Sequence, residues 1–181
     1  MFSCDEDPLS PEEQASQALL DDPRPKLLMT MSDDLELTIS VQKFEETVSS
    51  MTFEIVYNPD ALEVISYSGG AFGDPSFANM EFMDVNNDSV YCSFIFSSDI
   101  SGSGDLLNLK FNGSASSYQG STIYIASILL EDASWETIEL SDGLYLQDIC
   151  YISTHPTNGD ILFNGGYEWS NKFCWPLNYE P

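Results

Sequence analysis

Four cysteines, one histidine and a ladder of Asp and Asn are the side chains from which a reactive or metal-binding site could be built. Asp84-x-Asn86-x-Asp88 sets oxygen ligands at alternate positions, as the opening of an EF-hand-like calcium loop does. The pattern then departs from that loop. Ser89 stands where the sixth position needs Gly, and Ile95 where the twelfth needs Glu. The flanking residues alternate as strands do, so a hairpin turn outranks a metal loop, and a looser calcium site stays open. His155, beside Pro156, would have to serve any Ser-His-Asp or Cys-His site. Nothing around it supports one, and an exposed loop imidazole is expected. Carboxylate pairs are too plentiful in this composition to mark a glycosidase. There is no CxxC pair for zinc and no Gly-rich phosphate loop leading into a helix. The expectation is a protein that is not an enzyme and carries no cofactor.

The cysteines divide by context. Met1-Phe2-Ser3-Cys4, followed by acids, looks like the end of a bacterial lipoprotein signal, with Cys4 as the lipidated residue. The alternative is an ordinary thiol in a terminal segment. Cys150 and Cys174 bracket a tail rich in Gly, Asn and aromatics, and are expected to form a disulfide in an oxidising compartment. Cys92 sits inside an alternating segment and reads as a buried apolar thiol.

The charge balance narrows the partners. Thirty Asp and Glu oppose five Lys and Arg, a formal net charge of -25 in 181 residues. Nucleic acid and anionic membrane surfaces need cationic side chains and are excluded as partners. Hydrophobic residues at 43% argue for a packed core despite the charge. No apolar run reaches the length of roughly 20 residues that a membrane helix requires.

The elements that must position any site are strands. Residues 1–34 are acidic and broken by Pro8, Pro11, Pro23 and Pro25, with a helix start at Ser10-Pro11-Glu12, and read as a linker. From Leu35 the period is two: Leu35, Leu37, Ile39 and Val41, then Met51, Phe53, Ile55 and Tyr57, alternate with mostly polar neighbours. Asn58-Pro59-Asp60 makes a corner, with Asp60 expected to bond the backbone ahead. Met80–Val85 and Ser89–Ser97 read as a hairpin, with Val90, Cys92, Phe94 and Phe96 on one face. Gly102-Ser103-Gly104 breaks the chain before Leu107, Leu109 and Phe111. Ile123 and Ile125 open another strand. The pattern predicts an all-β, antiparallel two-sheet sandwich over 35–148, with Phe53, Ile55, Leu107, Leu109, Phe111, Ile123 and Ile125 buried. Residues 149–181 form an aromatic extension.

Two segments carry a more specific likeness. Tyr57-Asn58-Pro59-Asp60-Ala61-Leu62-Glu63-Val64 resembles the Tyr-Asp-Pro-x-x-Leu-x-Val signature of cohesin modules, with Asn58 in place of Asp. Ser101-Gly102-Ser103-Gly104-Asp105-Leu106-Leu107-Asn108-Leu109-Lys110-Phe111 is similar to the cohesin Ser-Gly-x-Gly-x-Leu-x-x-Leu-x-Phe segment. The resemblance implies a jelly-roll sandwich related to carbohydrate-binding modules. It implies a binding function, the partner being a dockerin-like, calcium-dependent protein in the assembly of polysaccharide-degrading enzymes. Alternatives are direct polysaccharide binding and a structural or adhesive surface lipoprotein. The implied setting is extracytoplasmic, secreted or at the cell surface.

In cohesins the dockerin lies on one flat sheet of the third, fifth, sixth and eighth strands. Matching these to 62–68, 89–97, 105–111 and 122–127 and following the alternation puts Tyr67, Tyr91, Ser93, Leu106, Asn108, Lys110 and Tyr124 outward. These are the expected partner-binding residues, with Tyr and Leu as anchors and the rest as a polar rim.

Overall fold

A computed structural model describes residues 21–73, 77–79, 89–113, 121–140, 143–146, 150–154 and 161–164; within some of these strands only the backbone is described. Cys4, the helix start at Ser10, the Asp84, Asn86 and Asp88 ladder, His155 and Cys174 lie outside the described residues. Cys150 is described for its backbone only.

Nine strands are described: β1 (Lys26–Met31), β2 (Glu36–Tyr57), β3 (Leu62–Gly69), β4 (Phe77–Asn79), β5 (Ser89–Gly113), β6 (Ser121–Glu131), β7 (Tyr145–Leu146), β8 (Cys150–Thr154) and β9 (Ile161–Asn164). One hydrogen-bonded path runs β3-β5-β2-β6-β8-β9, with β1 joined to β2 and β7, and β4 to β5. The pairings are antiparallel except β1 with β7.

Two strands are far longer than ordinary ones, β2 with 22 residues and β5 with 25. Each serves two leaves of the sandwich. The first part of β2 pairs with β1 and with 104–110 of β5, whose end also pairs with β3. The last part of β2 pairs with 89–95 of β5 and with β6. Between these halves the register slips repeatedly, at Val41/Phe44, Phe44/Val48 and Val48/Ser50. Lys43 takes a φ of 57° and Gly102 a φ of 89° there, and Gly102 is the residue type that does so without a Cβ clash. The break expected at 102–104 is therefore a bend inside a continuous strand. The first leaf runs β7-β1-β2-β5-β3, and the second β4-β5-β2-β6-β8-β9.

Alternation fills the space between the leaves. Leu37, Ile39 and Val41 face it from β2 beside Met29, Met31, Leu107, Leu109 and Phe111. From the second leaf come Met51, Phe53, Ile55, Tyr57, Val90, Cys92, Phe94, Ile123, Ile125 and Leu130. All seven residues expected in the core are buried. The Tyr57 and Phe111 rings meet edge to face across the core at 5.4 Å. Fully burying each large side chain contributes roughly 1.5–3 kcal/mol.

Strand β1 begins inside the stretch that composition marks as linker. Lys26-Leu27-Leu28-Met29-Thr30-Met31 is a short apolar run without alternation, and its apolar residues are all buried. The corner at 58–60 also differs in detail: Asn58, not Asp60, supplies the side-chain cap, its Oδ1 accepting from the Asp60 amide at 3.0 Å. Among the described residues no helix is long and apolar enough to cross a membrane.

Candidate partner-binding face

The residues singled out by alternation fall on two leaves. Tyr91, Ser93 and Tyr124 belong to the second leaf. Tyr67, Leu106, Asn108 and Lys110 belong to the first. The structure does not bring them together, because the match to cohesin strands treated the two halves of β2 and β5 as independent strands.

Two of the seven are also misphased. Leu106 is fully buried in the core, not outward. Ile39 pairs with Leu107 while Ser40 pairs with Asp105, so Leu106 is the extra residue of a bulge that turns it inward. Tyr67 lies opposite Leu109 because the register of β3 slips between Val64 and Ser66. It therefore sits on the core-facing side of an edge strand, although it remains exposed. Asn108 and Lys110 do point outward on the first leaf. The Thr38 hydroxyl donates to Asn108 Oδ1 at 2.8 Å, and Lys110 Nζ donates to the Asp34 carbonyl.

The outer face of the second leaf makes a coherent surface. Its central strand, residues 50–56 of β2, carries Thr52, Glu54 and Val56 outward, with Ser50 on the same parity but buried. Tyr91, Ser93 and Ile95 flank them on β5; Tyr124, Ser127, Leu129 and Glu131 do so on β6. Cross-strand rows form, such as Ser93–Thr52–Leu129 and Tyr91–Glu54–Ser127. Three large apolar residues stand exposed here: Tyr91 at 49%, Ile95 at 51% and Leu129 at 41%. Between them the polar groups are tied laterally. The Thr52 hydroxyl donates to Ser93 Oγ at 3.1 Å, and the Ser50 hydroxyl to Glu131 Oε2 at 2.6 Å. Such a face holds its side chains in fixed rows, so little order must be gained when a partner docks.

Lys110 on the first leaf faces Glu36 across the strands, whereas no described cation lies on the second leaf's outer face. The described charged side chains on the second leaf's outer face are Glu54 and Glu131. Arg24, Lys26 and Lys43 gather around Asp22, whose carboxylate pairs with Arg24 at 2.6 Å and whose carbonyl accepts from Lys43 Nζ at 2.8 Å. No group of three or more His, Cys, Asp or Glu among the described residues converges on a metal position. Cys92 faces the core, where burial pushes its thiol up to about 12 and leaves it inert.

Thr52, Glu54, Val56, Ile95 and Leu129 were not among the residues the sequence marked as partner-binding. The parity of the first four was visible, since each alternates with a core residue. Leu129 was hidden by the register slip at Glu54/Ile55 in the pairing of β2 with β6.

Comparison with known proteins bears on the whole architecture. The cohesin domain model matches residues 31–142, more than half of the chain. A cohesin in a type I cohesin–dockerin complex from Clostridium thermocellum superposes with a TM-score of 0.56 at 15% identity, covering 70% of this chain and 91% of that one. A type I cohesin from Pseudobacteroides cellulosolvens gives 0.54 at 13% identity, with 75% and 96% covered. A non-cellulosomal cohesin of the archaeon Archaeoglobus fulgidus gives 0.51 at 16% identity, with 67% and 85% covered. At these identities the structural likeness establishes the fold, a β-sandwich. No curated protein sequence matches. On the family match over residues 31–142, together with this sandwich, the chain belongs to the cohesin family.

Proposed function

We propose that the chain is a non-catalytic, extracytoplasmic protein-binding module whose partner, a dockerin-like protein, docks on the outer face of the second leaf. The observation that carries this reading is the set Tyr91, Ile95 and Leu129, exposed on one rigid face around a hydrogen-bonded polar centre. Apolar anchors inside a polar surround are what a specific protein interface requires. The Clostridium thermocellum neighbour, solved as a cohesin–dockerin complex, supports the class of partner. Membership of the family supports a role in assembling surface or polysaccharide-degrading complexes, and with it an extracytoplasmic setting.

Calorimetric titration of the purified chain with purified dockerin modules, with and without a calcium chelator, tests the reading. Binding is expected only with calcium. Leu129→Asp and Tyr91→Ala are expected to weaken it about thirtyfold, as hot-spot losses do. Both positions are exposed, so folding stability should stay within about 0.5 kcal/mol. Lys110→Glu, on the first leaf, should leave affinity unchanged. Loss with Lys110→Glu and none with the second-leaf variants would overturn the assignment of the face. Retention on insoluble polysaccharide with no dockerin binding would favour a carbohydrate-binding module.

A further inference from the structure

Among the described residues, four turns end in a residue with a left-handed backbone, and they differ in what stands there. In the turn between β1 and β2, Leu35 has a φ of 59°, and its amide donates to the Ser32 carbonyl at 3.0 Å. In the turn after β6, Trp135 has a φ of 62°, and its amide donates to the Asp132 carbonyl at 3.0 Å. The enclosing bonds match as well: Ser32 to Glu36 at 2.9 Å and Asp132 to Glu136 at 3.0 Å. Both are hairpin-type loops whose last residue must be left-handed, a place that suits Gly and strains a bulky side chain. At the other two, after Gly70 and after Leu140, the residues are Gly73, with a φ of 94°, and Gly143, with a φ of 73°.

Burial offsets the strain at one of the two non-glycine positions. Leu35 is 7% exposed and belongs to the core. Trp135 is 60% exposed, so its indole gives the fold little in return. Its turn starts one residue beyond Glu131, whose carboxylate lies on the second leaf's outer face against Ser50. The neighbouring charges in the turn are Asp132 and Glu136, both acidic. Asp132 Oδ1 is occupied in closing the turn, accepting from the Ser134 and Glu136 amides at 2.7 and 3.1 Å. An exposed indole presents a negative ring face, and carboxylates beside it deepen the attraction for a cation.

We propose that Trp135 extends the partner interface beyond the apolar face, as an aromatic subsite that takes an Arg or Lys side chain of the protein partner. The inference rests on the protein-binding reading, but its test does not need the natural partner. Charge complementarity selects this occupant: the turn and the adjoining face carry carboxylates, and the chain's net charge is -25.

Indole signals in the nuclear magnetic resonance spectrum of the full chain provide the readout, Trp135 being assigned by its loss in Trp135→Gly. Three probes are added in turn: a helical peptide with Arg on one face, the same peptide with citrulline for Arg, and cellohexaose. The Arg peptide is expected to shift the Trp135 indole, and Trp135→Gly to weaken that peptide about threefold to tenfold. The citrulline peptide should shift it much less. Trp135→Gly and Trp135→Asn should melt at the same temperature as the parent or up to about 4 °C higher, because either residue relieves the left-handed strain. A shift with cellohexaose and none with Arg would overturn the proposal in favour of a sugar platform, and no shift with any probe would overturn it outright. A fall of several degrees in Trp135→Gly would show that the indole serves the fold instead. Failure of dockerin binding with the Arg shift intact would strike the assigned partner and leave the subsite standing.

Discussion

Asp22 shows how one residue joins local geometry to a pH response. Its carboxyl is held at about 2, against an ordinary 3.8, chiefly by the side-chain hydrogen bond from Arg24, reinforced by the Arg24 amide. A carboxyl depressed in the folded state adds stability above its unfolded value, and loses it as pH falls through the folded one. Arg24 is substantially exposed, so solvent screening reduces the contribution to about 1 kcal/mol. Denaturant unfolding of Asp22→Asn against the parent should show that deficit at neutral pH. The gap should narrow below pH 3.8 and close near pH 2. A constant gap across that range would place the effect elsewhere. Lys26 beside it is buried, and burial lowers its affinity for a proton, while the Asp22 and Arg24 carbonyls accept from its ammonium.

At the scale of the element, the bulge in β5 decides what two adjacent leucines do. Leu106 and Leu107 are both buried, which strict alternation forbids. The bulge is locked from the side: Gly70 donates to the Leu106 carbonyl at 3.0 Å and Ala71 to the Asp105 carbonyl at 2.7 Å. A Cβ at Gly70 would come within 2.2 Å of the Asp105 carbonyl oxygen, so the close approach requires glycine. Leu106→Ala should therefore cost about 2–5 kcal/mol, as a core truncation does. Leu129→Ala should cost within about 0.5 kcal/mol, as a surface change does. Equal losses in chemical denaturation would contradict the phasing of both strands.

For the whole molecule, the two outer faces have different characters. The second leaf's outer face carries Tyr91, Ile95 and Leu129 with Glu54 and Glu131; the first leaf exposes Ile65 and Tyr67 along its edge strand β3 and sets Lys110 opposite Glu36, and the other described cations gather around Asp22. A net charge of -25 also means that the folded chain repels itself. Raising ionic strength from low salt should raise the thermal midpoint through screening, at neutral pH and without ligand. A midpoint that falls with added sodium chloride would mean that attractive pairs outweigh the repulsion.

Much of this fold was legible in the chain itself. Period-two alternation identified the strands and the inward residues Phe53, Leu109, Phe111 and Ile123, because side-chain direction in a strand is a local property. The corner at 57–64 and the Gly102–Gly104 segment carried the family, since turn chemistry is local too. Which strands share a leaf is not local. It depends on pairing between residues some forty to seventy positions apart, such as Met51 with Phe94 and Thr38 with Asn108. Local signals mark the Gly102 bend as a strand end, whereas tertiary pairing keeps β5 continuous across it. A bulge likewise reverses parity without a change in composition, as at Leu106 and Tyr67. Sequence thus determined the sandwich and its core. Tertiary pairing alone decided that Tyr91, Ser93 and Ile95 lie beside Thr52 and Leu129 rather than beside Asn108 and Lys110.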